Sequence, residues 1–260
     1  MKLEYPTLRS RPAEVVNDFL WLDPAPLPSG TASIVGFLGV YQNRADEVEI
    51  CGMVHPERRR MGIFSCLLDE ALTELRRRDA HRVLLIVDRA CEAGVGFAEA
   101  RGGEVAWSEY RMRQADPPVT QDDDEHVTVR PGRRDEAGFI RDCLSRAFGL
   151  PEEATADEDF AERAEQTLVI EHATERVGVM RAERDAVAGD AGIYGFAVLP
   201  EHQGRGYGRA ALSKVTRALR DEETTSVHLE VLVDNPGALH LYESCGFDVL
   251  GIEDYYLIPV

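Results

Sequence analysis

The stretch Val198-Leu-Pro-Glu-His-Gln-Gly-Arg-Gly-Tyr-Gly-Arg-Ala-Ala-Leu212 decides how the rest of the chain is read. An apolar run from Tyr194 to Leu199 has strand character and stops at Pro200. Gly204, Gly206 and Gly208 then punctuate a turn with basic residues between them. After it, Leu212, Val215 and Leu219 recur at helical spacing. A glycine-rich turn that opens a helix aims unpaired backbone N–H groups and the positive end of the helix dipole at one spot. That is a ready site for a phosphate or pyrophosphate. Arg205 and Arg209 add charge at its rim. A plain surface turn before an ordinary helix would read similarly. A dinucleotide-binding turn wants an acidic residue about 20 positions on, at the end of a second strand. Asp221, Glu222 and Glu223 fall instead in the polar stretch that ends this helix.

Composition bounds the alternatives. The 260 residues suit one large domain or two of ordinary size, and 44% hydrophobic content is ample for packed cores. No apolar run approaches the ~18 residues that span a bilayer, so no membrane partner is expected. Met1-Lys-Leu-Glu-Tyr-Pro lacks the charged start and apolar centre of an export signal. Cys51, Cys66, Cys91, Cys143 and Cys245 are odd in number and scattered, with no C-x-x-C pair. They suit small buried hydrophobes of a reducing cytoplasm. The net charge of −18 argues against nucleic acid as a partner, because phosphate contacts need a basic face. His228 and His240 have no third ligand at metal spacing, so no metal is expected. No nucleophile motif of the G-x-S-x-G kind is present.

Taken in order, Arg11 to Leu22 reads as a short helix, followed by the proline-rich Asp23 to Gly30. Thr31 to Tyr41 and Glu47 to Val54 read as strands, Met61 to Arg78 as an amphipathic helix, and Arg82 to Val87 as a buried strand. A short helix, Glu92 to Arg101, and a strand, Glu104 to Arg113, complete a first half. The polar, acidic and proline-bearing segment 114–126 reads as a linker between a domain over 1–113 and a second over 127–260. There the expected elements are a strand at Val127 to Arg130, helices at Asp135 to Phe148 and Asp157 to Gln166, and a hairpin of Thr167 to His172 with Arg176 to Ala182. The strand at Tyr194, the glycine turn and its helix follow. Val227 to Val233 is the next strand, Pro236 to Cys245 a helix, and Phe247 to Val260 a last extended piece.

The halves are copies at an offset of 144. Pro200 meets Pro56, Gly206 meets Gly62, Leu212 meets Leu68, Leu219 meets Leu75, Val231 meets Val87 and Gly246 meets Gly102. A repeated α/β unit of this size predicts two domains of like fold. The copies differ where the polar groups fall. Gln203 faces Arg59, Gly208 faces Phe64, Glu230 faces Ile86, Asn235 faces Cys91 and Tyr242 faces Ala98. A scaffold half and a working half would look like this.

Gln203-Gly-Arg-Gly206-Tyr-Gly208 fits the Q/R-x-x-G-x-G/A signature of the GCN5-related N-acetyltransferases (GNAT). Phe196-Ala-Val198 before it resembles that family's fourth strand, and Leu229-Glu-Val231 its fifth. Asn235-x-x-Ala238-x-x-x-Tyr242-x-x-x-Gly246-Phe247 resembles its following helix, and Asp254-Tyr-Tyr256 occurs in relatives that acetylate a ribosomal-protein alanine. The whole resembles a tandem GNAT protein with a degenerate first copy, an α/β fold with a mixed sheet in each of two acyl-CoA N-acyltransferase domains.

The resemblance implies acetyl-CoA as co-substrate and an amine acceptor, either a small molecule or a peptide N-terminus, with the chain working as a monomer or homodimer. It implies that Phe196, Ala197 and Val198 line the pantetheine arm. Gln203, Gly204, Arg205, Gly206, Tyr207, Gly208 and Arg209 would hold the pyrophosphate, and Asn235 would touch the arm or an ordered water. Tyr242 falls where the family places the general acid for the departing thiolate, although a tyrosine packing the helix on the sheet would look the same. Alternation puts His228, Glu230 and Leu232 on one face of their strand. There Glu230 could relieve the attacking ammonium of a proton, or be a solvated or arginine-paired carboxylate. Asn235 before Pro236 also reads as a helix N-cap. Two function classes follow: an N-acetyltransferase active in its C-terminal half, or a non-catalytic acyl-CoA-binding protein on the same scaffold.

Overall fold

The computed structural model describes residues 15–23, 33–42, 47–114, 124–149, 160–185, 189–221 and 224–260. Its strands are β1 (Asp18–Asp23), β2 (Ser33–Tyr41), β3 (Glu47–Val54), β4 (Arg82–Asp88), β5 (Glu104–Gln114), β6 (Val127–Pro131), β7 (Leu168–His172), β8 (Glu175–Asp185), β9 (Asp190–Val198), β10 (Ser226–Leu232) and β11 (Asp248–Ile258). Its helices are α1 (Ile63–Arg77), α2 (Glu92–Ala100), α3 (Ala137–Phe148), α4 (Phe160–Glu165), α5 (Tyr207–Asp221) and α6 (Pro236–Ser244). The chain forms two compact units. One comprises Met1–Glu109 with Gly251–Val260, the other Tyr110–Leu250. The end of β11 therefore belongs to the first unit and the end of β5 to the second.

In the first unit, β1, β2 and β3 run antiparallel, β4 lies parallel to β3, and β11 pairs antiparallel with β4. α1 buries Ile63, Leu67, Leu68, Leu72 and Leu75 against this sheet. Each large side chain so buried contributes about 2 kcal/mol. In the second unit, β6 through β9 run antiparallel and β10 lies parallel to β9. α5 buries Leu212, Val215 and Leu219, as their spacing predicts, in a core shared with Val227, Leu229 and Val231 of β10. α3 packs on the other sheet face, where Ile140 and Cys143 meet Val169, Val179, Ala197 and Leu199. Its entry is tied by Glu136, fully buried and accepting hydrogen bonds from both terminal nitrogens of Arg130 at 2.8 Å and from the Arg133 N–H at 3.0 Å. Those bonds hold its carboxyl down at about 2.

One expected element is corrected. Asp18 to Leu22 form strand β1, not the end of a helix, because pairing with β2 and packing of the half-buried Phe19 against the core override the local helical pattern. Positions 11–14 of that expected helix, the core of the expected linker (115–123), and 157–159 of the second helix lie outside the described residues. Among the described residues no helix is long and apolar enough to cross a membrane.

Candidate active site

Local geometry at the glycine turn follows from its residues. Pro200 to His202 make a short 3-10 turn, and Gln203 anchors the loop by donating its Nε2–H to Val198 O at 2.9 Å. Gly204 and Gly206 take φ of +72° and +86°, a left-handed conformation that any side chain would strain. A Cβ at either position would meet nothing within 4 Å, so the turn faces open space. Gln203, Gly204, Arg205 and Gly206 are exposed, and Arg209 is half-buried on the first turn of α5. Tyr207 stacks on His172 with ring centroids 4.5 Å apart, which fixes the start of that helix.

The strands before and after the turn open a cleft. Parallel pairing of β9 with β10 covers only Asp190 to Gly192 against Ser226 to His228; beyond these rows the two strands are not paired with each other. In β9 the register against β8 shifts between Val179 and Arg181, and Gly195 has a φ of +53°. This is a β-bulge, one extra residue that bends the strand and re-aims its backbone. Phe196 and Val198 follow it, half-buried on the cleft side of the bulge, with Ala197 buried under α3. A Cβ on Gly208 would lie 3.4 Å from the Phe196 ring and 3.6 Å from Val198, so α5 approaches these residues closely.

The other site residues lie around the same opening. Asn235 caps α6, its Oδ1 accepting from the Ala238 N–H at 3.1 Å, with Pro236 in the first turn. Tyr242, on α6, is buried in the helix-side core between Phe196 and Phe247, at centroid distances of 6.3 and 6.1 Å. Burial pushes its phenol up to about 12, so it stays protonated as a donor. Glu230 is half-buried on the opposite sheet face from Val227, Leu229 and Val231, as alternation predicts. Sequence reasoning missed the groups around His228, two residues before it. Tyr194 lies edge-on to His228 at 6.5 Å, Arg181 sits 5.5 Å over the Tyr194 ring, and Arg181 pairs with Glu183 at 2.8 Å. The strand registers, which put Arg181 opposite Tyr194 and Glu183 and His228 level with Gly192, were not readable in advance.

Tyr255 and Tyr256 belong to the first unit, on opposite faces of its sheet. Tyr256 is core. Tyr255 stacks on Trp107 at 4.9 Å and donates its O–H to Glu109 at 2.7 Å. Asp254 is buried against Arg89 and Ser108; burial would raise its carboxyl, but hydrogen bonds from both hold it below the usual range.

The turn in the first unit keeps the same backbone. Arg59 matches Gln203 in φ and ψ and donates to Val54 O at 3.1 Å, as Gln203 does to Val198. Arg60 holds φ +66° where Gly204 stands, and Gly62 +78° where Gly206 stands. Even the phenylalanine is exchanged rather than added. Phe64 replaces Gly208 while Gly52 replaces Phe196, and a Cβ on Gly52 would lie 2.8 Å from the Phe64 ring. One ring fills the same space from the opposite wall. The first unit lacks the bulge: β2 and β3 stay in register from Gly36–Val54 to Tyr41–Glu49. Ahead of the bulge the offset between the copies therefore becomes 143, so Glu47 stands level with Asp190 and Cys51 with Tyr194.

Among the described residues no three His, Cys, Asp or Glu side chains gather as metal ligands. The model of the acetyltransferase (GNAT) family matches residues 6–102 and 138–247. A mycothiol acetyltransferase of Thermomonospora curvata is 31% identical over 94% of this chain and 80% of its own length. Among solved structures, a GCN5-related N-acetyltransferase from Sphaerobacter thermophilus superposes with a TM-score of 0.71 at 22% identity, over 90% of this chain and 80% of that one. A tandem GNAT protein from the clavulanic acid biosynthesis pathway reaches 0.63 at 17% identity, over 89% and 80%. With the family match falling on both copies of the repeat, the chain belongs to the acetyltransferase (GNAT) family as a tandem pair of its domains.

Proposed function

We propose that the second unit transfers the acetyl group of acetyl-CoA directly to a primary amine, on a small molecule or a peptide N-terminus. The observation that carries this reading is the bulged opening between β9 and β10, with the glycine turn at one end and Glu230 and Tyr242 on opposite faces of the sheet. The open turn fits a pyrophosphate, since nothing stands where side chains on Gly204 and Gly206 would be. Acetyl-CoA supplies an activated thioester when bound. The amides of Gly204 to Arg209 and the arginines at positions 205 and 209 hold its anionic end. Phe196, Ala197 and Val198 offer strand backbone and apolar contact to its arm, and Asn235 borders that path.

Glu230 takes a proton from the attacking ammonium, directly or through water. As the new N–C bond forms and the C–S bond breaks, Tyr242 gives its phenolic proton to the departing sulfur. A phenol held un-ionised to about 12 remains a donor across the physiological range. No cysteine is in a disulfide, in keeping with a reaction in the cytoplasm. Release of coenzyme A from acetyl-CoA, measured against a panel of amino sugars, polyamines, amino acids and peptides, tests the reading. Amine-dependent release supports it. Tight acetyl-CoA binding with no release above background for any amine would favour the non-catalytic binder.

A further inference from the structure

In the second unit, three strands bring charged and aromatic groups together on the sheet face away from α5. Met180 and Ala182 of β8 and Ile193 of β9 pack into the α5 core. By alternation Arg181, Glu183 and Tyr194 point to the other face, with His228 and Glu230 of β10. Arg181 stands opposite Tyr194 in the β8–β9 ladder. Gly192 stands level with His228, so Tyr194 and Glu230, two residues further on, share the next row, where β9 and β10 part. Arg181 and Glu230 are thus two strand spacings apart, about 10 Å along the row.

Tyr194 makes a floor beside Arg181. A Cβ on Gly192 would overlap the Tyr194 hydroxyl and two of its ring atoms, so the ring lies back over a glycine that has no side chain to displace it. The Arg181 guanidinium sits 5.5 Å over that ring. Its Nε pairs with Glu183, but the two side chains are 38% and 42% exposed, and a pair in that setting holds the guanidinium weakly. Among the described residues its two terminal nitrogens have no hydrogen-bond partner. Asp185 and Asp190 stand a row beyond His228, further from the opening, and Asp190 is held by the hydroxyls of Thr225 and Ser226 at 3.0 and 2.7 Å. A second ammonium on an acceptor would therefore meet an arginine, and a neutral tail would leave the two terminal nitrogens unfilled. A carboxylate takes both in the two-pronged geometry that a guanidinium favours. The level positions of the first unit, Gly39 and Cys51, carry no charge. We propose that Arg181, over the Tyr194 floor, selects the acceptor: a primary amine that bears a carboxylate several bonds from its nitrogen. The amine reaches Glu230 while the carboxylate reaches Arg181. This rests on amine acetylation in the second unit and adds the acceptor's second charge.

Acceptors matched in length test this on the full chain. Aminocaproate, its carboxamide and hexamethylenediamine differ only in the charge of the far group. The peptide amides Ala-Ala-Glu and Ala-Ala-Gln ask whether the carboxylate comes on a peptide side chain instead. In the wild type, kcat/KM should be at least about tenfold higher for the carboxylate member of one of these sets, the factor that a charge-assisted hydrogen bond supplies. Arg181→Gln should bring that ratio near one through KM, and Arg181→Lys should restore part of it. A purely structural loss would lower every member of a set alike. A ratio unchanged in Arg181→Gln, or a wild type that prefers the diamine or the amides, overturns the proposal. Binding measured by ligand-observed NMR under saturating coenzyme A separates this from the transfer reading. Tighter binding of the carboxylate member than of its amide, lost in Arg181→Gln, supports the site even where no acetylation follows. Acetylation of amines with no preference for the carboxylate overturns the site and leaves the transfer reading standing. Equal or undetectable binding of acid and amide, with no kinetic preference, overturns it as well.

Discussion

In the second unit, the rows crossing β8, β9 and β10 carry Arg181, Glu183, Tyr194, His228 and Glu230. In the first, the matching rows of β2, β3 and β4 carry Gly39, Tyr41, Cys51, Leu84 and Ile86. The backbone of the turn is the same in both, down to the anchoring hydrogen bond and the two left-handed residues. The copies thus diverge on the side where an acceptor would enter, not on the side that would hold a phosphate. Loss of a glycine at Phe64 is no measure of a lost clamp, because Gly52 makes room for the ring. On the proposed reading, the bulge, Glu230 and Tyr242 are what the reaction needs and what the first unit lacks.

The comparison breaks most visibly if Glu230 is dispensable. Glu230→Gln should lower kcat about 10²–10³-fold with little change in the KM for acetyl-CoA, because the proton acceptor is lost while the clamp stays. Steady-state kinetics over a pH range checks it; an unchanged kcat would move the base elsewhere. The buried Glu136 knot of the second unit gives the next effect. Glu136→Gln should destabilise the second unit by about 2–3 kcal/mol, since three arginines lose a buried carboxylate. Its folded carboxyl lies below the ordinary value. The stabilisation is therefore present above about pH 4.5 and disappears as pH falls toward about 2. In urea melts at pH 7 and pH 3, the gap between wild type and variant should narrow at the lower pH.

Smaller effects probe the turns themselves. Gly206→Ala should cost about 1–2 kcal/mol at φ +86° and raise the KM for acetyl-CoA. Arg60→Gly in the first unit should do the reverse, stabilising by up to about 1 kcal/mol, because glycine holds φ +66° without strain. Thermal melts of the two variants side by side decide whether both turns store the same conformation.

Much of this was legible in the chain because it rests on local rules. The turn and Asn235–Pro236 carry their own geometry, and the spacing of Leu212, Val215 and Leu219 fixes which face of α5 is buried. The bulge left a faint signal, an isolated glycine at 195 inside an apolar strand. Its consequence, a one-residue change of offset, needs the pairing partners. The placement of Asp254 to Tyr256 in the first unit depends on which strand β11 joins, and β1 became a strand only through its pairing with β2. Those are tertiary facts. The cluster of Arg181, Tyr194 and His228 comes from three separate strands and has no local signature.

The central claim is that acetyl transfer occurs only in the second unit, through the phenol buried behind Phe196. The most direct measurement is kcat for amine acetylation by Tyr242→Phe in the full chain, under saturating acetyl-CoA. The phenyl ring keeps the packing with Phe196 and Phe247 and loses only the hydroxyl that would donate the proton. A fall of about 10²-fold or more, with the KM for acetyl-CoA preserved, is the predicted result. A kcat equal to the wild type would contradict the assignment of Tyr242 and reopen the question of which unit reacts.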